Sequence, residues 1–118
     1  MTELGLTDQV TTFSMSEFGR SLTSNGNGSD HAWGGNAFVM GGAVNGKKIY
    51  GQYPLLAPNG ALNVYDGVII PTTSADEYFA ELALWMGASK SDLPYLFPNL
   101  QRFYDPQSPN APIGFLKM

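Results

Sequence analysis

The chain has 118 residues, of which 43% are hydrophobic and 14% charged, and its formal net charge is −4. This composition excludes global disorder, and the length predicts one small domain over residues 1–118. The six basic residues are scattered, which argues against nucleic acid and against an anionic membrane surface as partners. Without cysteine, disulfides and thiolate metal sites are excluded. No apolar run is long enough to span a bilayer.

The first half of the chain predicts β-structure and one long loop. Residues 9–16 alternate β-branched, aromatic and polar side chains, which predicts a strand. Residues 21–35 are predicted to be a loop, because SNGNGSD is rich in residues that tolerate positive φ or form local turns. A strand–turn–strand hairpin is predicted over 36–53, since Asn45-Gly46 between β-like runs is a strong hairpin signal.

The second half predicts one main helix. The stretch PLLAPNGALNVYDG is predicted to be irregular, and 67–70 to be a short extended segment. Ser74 is the predicted N-cap of the helix, Glu77 completes a capping box, and Gly87 is placed at the C′ position. An apolar stripe at helical spacing predicts the buried face, formed by Ala75, Tyr78, Phe79, Leu82, Trp85 and Met86. A short helix capped by Ser91 follows, and then an extended proline-rich C-terminal tail over residues 105–118.

The candidate chemistry lies around the predicted loop. His31 is the only histidine, and a neutral imidazole is the commonest metal ligand as well as a general base. Asp30 precedes it and can add a second ligand or orient the imidazole. Glu17 can also bind a metal, and Arg20 can hold an anion bidentately. The alternative is that His31 is polar surface and that Glu17 and Arg20 form an exposed ion pair worth about 0–1 kcal/mol.

Three blocks of the sequence carry a resemblance to a known family. They are VTTFSMSEFGRSL at 10–22, NGNGSDHAWGGNAFVMGGAVNGKKIYGQYP at 25–54 and PTTSADEYFAELALWMGASKSDLPYLFPNL at 71–100. In this order they resemble the C-terminal third of a bacterial family known as domain of unknown function 1501. The resemblance implies the alkaline phosphatase and sulfatase superfamily. The implied fold class is α/β, a partial alkaline-phosphatase-like sheet with a β-hairpin and one main C-terminal helix.

The resemblance also implies roles for the residues around the loop. Superfamily members end a strand in a metal-binding Asp-His-Gly motif, and the equivalent segment here reads Ser16-Glu17-Phe18-Gly19. Phe18 therefore stands where the superfamily has a histidine ligand. The implied metal residues are Glu17, Asp30 and His31, and the implied anion contact is Arg20. The implied cofactor is a divalent zinc or manganese ion that assists hydrolysis of a phosphate or sulfate ester.

The resemblance further implies that this chain is one part of a longer exported protein. The superfamily's nucleophile and a first metal-binding aspartate have no counterpart in this sequence. The chain is therefore expected to be inactive alone, with the N-terminal part of the parent protein as its partner. A piece cut from a larger sheet exposes apolar surface, so self-association is expected. The alternatives are a non-catalytic domain that binds a protein or carbohydrate, and a truncated product without a function of its own.

Overall fold

The computed structural model describes all 118 residues and contains six short strands, two α-helices and two single turns of 3-10 helix. The strands and α-helices are β1 (Thr11–Phe13), β2 (Gly19–Ser24), β3 (Ser29–Ala32), β4 (Val39–Gly41), β5 (Asn63–Tyr65), β6 (Val68–Ile69), α1 (Ala75–Trp85) and α2 (Leu93–Leu96). Small antiparallel hairpins and one main helix confirm the predicted α/β class. No helix here has both the length and the apolar character that crossing a membrane requires.

The chain forms two compact units, and each is assembled from separate stretches of sequence. The first unit comprises Met1–Thr12, Val39–Gly51 and Thr73–Met118. The second unit comprises Phe13–Phe38 and Gln52–Thr72. Both α-helices therefore belong to the first unit, whereas the β2–β3 and β5–β6 hairpins belong to the second.

Helix α1 begins and ends as the sequence predicts. The Ser74 hydroxyl accepts the Glu77 backbone N–H at 3.1 Å, and the Glu77 carboxylate accepts the Ser74 backbone N–H at 2.9 Å. This reciprocal pair is the predicted capping box, which satisfies two N–H groups that have no partner inside the helix. At the other end Met86 is the C-cap, and Gly87 follows with φ +105°, a left-handed conformation that glycine adopts without steric penalty.

The core of the first unit forms where α1 meets residues from distant parts of the chain. Leu82 is buried together with Ala43, Phe115 and Leu116, and Tyr78, Phe79 and Trp85 pack against them. The predicted apolar stripe is therefore confirmed at its centre. It is wrong at both ends, because Ala75 and Met86 are exposed.

The feature of α1 that the sequence did not predict is a fully buried carboxylate. Glu81 is 0% exposed. Its Oε2 accepts the backbone N–H groups of Ile113 at 2.7 Å and Gly114 at 2.6 Å, and its Oε1 accepts that of Leu116 at 2.7 Å. A charged residue is almost never fully buried unless it is paired. Here the C-terminal tail supplies the partners, so α1 and the tail are joined by hydrogen bonds as well as by apolar contact.

The tail also replaces the strand that was predicted after Asn45-Gly46. Val44 forms a β-bridge with Leu116, and the Asn45 backbone N–H donates to the Phe115 carbonyl at 2.9 Å. Residues 45–53 contain no strand, so the hairpin predicted over 36–53 is wrong. Only β4 forms within that range, and it pairs with β1. The strand predicted over 9–16 is likewise confirmed only as the shorter β1.

A hairpin that the sequence reasoning missed joins β5 to β6 in the second unit. The two strands are antiparallel, with Tyr65 opposite Val68. Asp66 and Gly67 between them have φ +49° and +79°, and positive φ at both central residues is what a type I′ turn requires. Asp-Gly is as strong a hairpin signal as Asn-Gly, so the irregular structure predicted for PLLAPNGALNVYDG is wrong at its C-terminal end, where β5 forms.

A second apolar cluster in the first unit holds the turns that follow α1. Ala80, Leu93, Leu100 and Tyr104 are its buried members. The Tyr104 hydroxyl donates to the Asn110 carbonyl at 2.6 Å. Burial raises the pKa of this hydroxyl, and the nearby Asp105 and Glu81 charges raise it further, so it stays a neutral donor. Asp92 rather than the predicted Ser91 occupies the N-cap position of α2, and its side chain makes no capping hydrogen bond to the helix.

We expect Glu81→Ala to destabilise the chain far more than a surface substitution on the same helix. Three backbone N–H groups would lose their acceptor, and since each unsatisfied buried donor costs about 1–3 kcal/mol, a loss of about 3 kcal/mol is expected. Urea denaturation followed by far-ultraviolet circular dichroism measures it. Asp76→Ala is the control, because Asp76 is only partly buried and an acidic residue in the first turn of a helix contributes only about 0.3–1 kcal/mol. Equal losses in the two variants would contradict the role assigned to Glu81.

Candidate functional site

The predicted loop over residues 21–35 is in fact largely a β-hairpin. Strands β2 and β3 pair antiparallel, with Gly19 opposite Ala32 and Arg20 opposite His31. Asn25–Gly28 form the turn, in which the Asn25 N–H donates to the Gly28 carbonyl at 3.1 Å. The prediction of a loop is wrong because only Ser21 and Ala32 in these strands are buried, so the sequence shows no hydrophobic alternation.

The hairpin brings two of the predicted site residues together. Arg20 and His31 occupy directly opposite positions on neighbouring strands. Side chains at opposite positions of an antiparallel pair lie on the same face, with Cβ atoms about 4.5–5.5 Å apart. Both residues are exposed, so the guanidinium and the imidazole are open to a ligand from solvent.

Phe18 is the third member of this group and holds both side chains in place. Its ring stacks on the His31 imidazole with centroids 3.7 Å apart and planes tilted by 15°. The Arg20 guanidinium carbon lies 5.0 Å from the centroid of the same Phe18 ring, within the range of a cation–π contact. One guanidinium nitrogen of Arg20 also donates to the Ser29 carbonyl at 2.7 Å. We call Phe18, Arg20 and His31 the hairpin triad.

The other two predicted metal residues lie outside this triad. Asp30 precedes His31 on β3, and because side chains alternate along a strand, it lies on the opposite face of the hairpin. Its carboxylate accepts the side-chain amide of Asn25 at 2.7 Å. Glu17 is exposed and precedes Phe18. No group of three or more histidine, aspartate or glutamate side chains in the chain could hold a metal ion.

Glycines next to the triad allow the backbone to pack closely. A Cβ atom on Gly19 would lie 1.6 Å from the Gly34 carbonyl oxygen, and one on Gly34 would lie 2.9 Å from the Ile69 carbonyl oxygen. A side chain at either position would force the backbone apart. Gly19 directly joins Phe18 to Arg20, so this close packing fixes the segment that carries two members of the triad.

The sequence did not indicate that Phe18 contributes to the site through contacts with His31 and Arg20. In the sequence alone, Phe18 is only the residue that stands in place of a ligand histidine. A cross-strand aromatic contact to His31 requires the register of the hairpin, and the loop prediction left that register undefined. A shallow depression of about 320 Å³ in the first unit, lined by Pro94, Gln101, Asp105, Pro106 and Gln107, contains none of the predicted site residues.

Comparison with known proteins identifies one family. The sequence model of the family described as "Protein of unknown function (DUF1501)" matches residues 1–69, more than half of the 118 residues. The match includes the whole β2–β3 hairpin and ends before α1. Neither a curated protein nor a solved structure matched the chain.

The stacking of Phe18 on His31 makes a prediction for nuclear magnetic resonance. A ring 3.7 Å from the imidazole shields its protons, so Phe18→Leu is expected to shift the His31 ring-proton signals downfield. Phe103→Leu is the control, because Phe103 is exposed and lies in the other unit. Unchanged His31 shifts in Phe18→Leu would show that the two rings are not stacked in solution.

Proposed function

The chain belongs to the DUF1501 family, and we propose that it is the C-terminal segment of a longer ester hydrolase of the alkaline phosphatase and sulfatase superfamily. The substrate class that we propose is a phosphate or sulfate ester. The role that we assign to this segment is to contact the oxyanion. The observation that carries this proposal is the juxtaposition of Arg20 and His31 on one exposed face of a hairpin.

The chemistry of the triad suits an oxyanion. Arginine presents a planar fork of donors that matches the oxygens of phosphate or sulfate. One guanidinium nitrogen of Arg20 is bound to the Ser29 carbonyl, which anchors the side chain and leaves its other donors for a ligand. The imidazole of His31 can donate to the same anion or exchange a proton with it. Phe18 keeps both groups on the same side, so little ordering is needed on binding.

The donor set of this chain does not form a metal site by itself. A catalytic zinc ion takes three protein ligands and an open position. Glu17, Asp30 and His31 do not form such a group, and Asp30 is hydrogen-bonded to Asn25. We therefore propose that any zinc or manganese ion is bound with further ligands from the rest of the parent protein. This segment would offer His31 and the exposed Glu17.

The test is a titration of the chain with inorganic phosphate and, separately, with sulfate. Binding is monitored through the nuclear magnetic resonance signals of the Arg20 and His31 side chains. We expect millimolar binding, and about tenfold weaker binding in Arg20→Ala, because a charge-assisted hydrogen bond contributes about 1.5–3 kcal/mol. Arg102→Ala is the matched control, since Arg102 is also exposed but lies in the first unit. If the two arginine variants bind phosphate equally well, the oxyanion role is wrong.

The same titration with zinc or manganese tests the metal role. Binding is expected to be weak, to be lost in His31→Ala, and to weaken at low pH because the imidazole must lose its proton to bind a metal.

One observation favours the second candidate function, a binding or interaction domain. Several large apolar side chains of the second unit are more than half exposed, among them Met15, Trp33, Leu55 and Tyr65. Contiguous exposed apolar patches mark interaction surfaces, and we propose that these side chains belong to one that another protein covers. In the parent protein the N-terminal part would cover it, and in the isolated chain a second copy would.

Self-association of the isolated chain is therefore expected. Size-exclusion chromatography with light scattering at high micromolar concentration measures the mass. The double substitution of Trp33 and Leu55 by serine should lower the associated fraction, since both side chains are exposed, at 62% and 72%. The double substitution of Met86 and Tyr95 by serine is the control, because these exposed residues belong to the first unit. A monomeric wild-type chain would contradict this prediction.

A further inference from the structure

Four asparagines in the chain are followed by glycine, namely Asn25, Asn27, Asn45 and Asn59. Asparagine is thermolabile, and a following glycine has no Cβ to hinder the approach of its backbone nitrogen to the asparagine side chain. We propose that Asn27 is a site of spontaneous covalent modification. It deamidates selectively in the folded chain, while the structure protects the other three.

The reaction uses only groups of the chain and water. The backbone nitrogen of Gly28 loses its proton to hydroxide and forms a bond to Cγ of Asn27. The Cγ–Nδ2 bond breaks, and the side-chain nitrogen takes up a proton and leaves as ammonia, which gives a five-membered succinimide. Water then opens this ring at either carbonyl and produces aspartate or isoaspartate at position 27.

Both reacting groups at Asn27 are free of hydrogen bonds. Its own backbone N–H donates to the Asn25 side-chain oxygen at 3.1 Å, but the Asn27 side-chain amide has no partner. The Gly28 N–H has none either, and a Cβ built on Gly28 would meet no atom within 4 Å. The turn is exposed to solvent, so hydroxide and water reach the reacting atoms.

At Asn25, the asparagine in the same turn, the side-chain amide and the backbone N–H of the following glycine are both hydrogen-bonded. Its side-chain nitrogen donates to the Asp30 carboxylate at 2.7 Å, and its side-chain oxygen accepts the Asn27 N–H. The attacking nitrogen would be that of Gly26, whose N–H donates to the Ser24 hydroxyl at 3.1 Å. Two hydrogen bonds of the Asn25 side-chain amide and one of the Gly26 N–H must therefore break before the succinimide ring can close at Asn25.

The remaining two pairs are protected in different ways. The Asn45 side-chain nitrogen donates to the Gly114 carbonyl at 3.2 Å, and its backbone N–H donates to the Phe115 carbonyl. These bonds fix Asn45 against the tail. Next to Asn59, the attacking nitrogen would be that of Gly60, whose N–H donates to the Ala57 carbonyl at 2.9 Å. In both the Asn45-Gly46 and the Asn59-Gly60 pair, at least one of the two reacting groups is therefore hydrogen-bonded.

The experiment is incubation of the folded chain in mildly alkaline buffer, followed by peptide mapping with mass spectrometry. The four asparagines are compared within one sample, so each serves as a control for the others. A hydrogen bond that must break first slows a reaction by about fivefold. We expect Asn27 to lose its amide at least about fivefold faster than each of the other three, with the aspartate and isoaspartate peptides separated by chromatography.

Two further arms show whether the fold decides the outcome. In guanidinium chloride the four rates should converge, because every protecting hydrogen bond is lost. Ser24→Ala removes the acceptor of the Gly26 N–H and should raise the rate at Asn25 while leaving Asn27 unchanged. The proposal is overturned if another asparagine reacts as fast as Asn27 in the folded chain, or if Asn27 keeps its lead in guanidinium chloride.

Discussion

The first unit depends on one carboxylate that the sequence gives no reason to bury. Glu81 lies on the core side of α1, where its two oxygens accept three backbone N–H groups of the C-terminal tail. An isolated buried carboxylate would be strongly unfavourable, and an extended tail with unpaired N–H groups would be unfavourable as well. Each group satisfies the other, so the helix and the tail reach the buried state together. The apolar contacts of Leu82 with Phe115 and Leu116 then follow from that pairing.

Local sequence predicted those elements whose stabilising contacts are themselves local. The capping box of Ser74 and Glu77 spans three residues, and Gly87 directly follows the C-cap, so both ends of α1 were predicted. The partner of Val44 is Leu116, which no turn signal near Asn45 can reveal. The β2–β3 hairpin was missed for a different reason. It buries almost nothing, and so it lacks the alternation by which strands are recognised.

The candidate site was predicted in part, and strand geometry explains which part. The chemistry of Arg20 and His31 makes both of them candidates, and the hairpin register places them side by side. Asp30 is a candidate because it is adjacent to His31 in sequence. Adjacent residues of a strand face opposite sides, which is why Asp30 binds Asn25 instead. Phe18 could be assigned a positive role only after the register was known, since its stacking partner is distant in sequence.

The bridge between Val44 and Leu116 has a consequence for synthesis on the ribosome. The second unit ends at Thr72, so all of its residues are made before α1 begins. The core of the first unit instead requires Leu116, which is translated only after the whole of α1 and α2. During elongation Ala43 and Leu82 are already present without their final partners, and they are free to meet chaperones or neighbouring chains. A pause in translation between residues 82 and 116 would therefore prolong the aggregation-prone stage of the nascent protein.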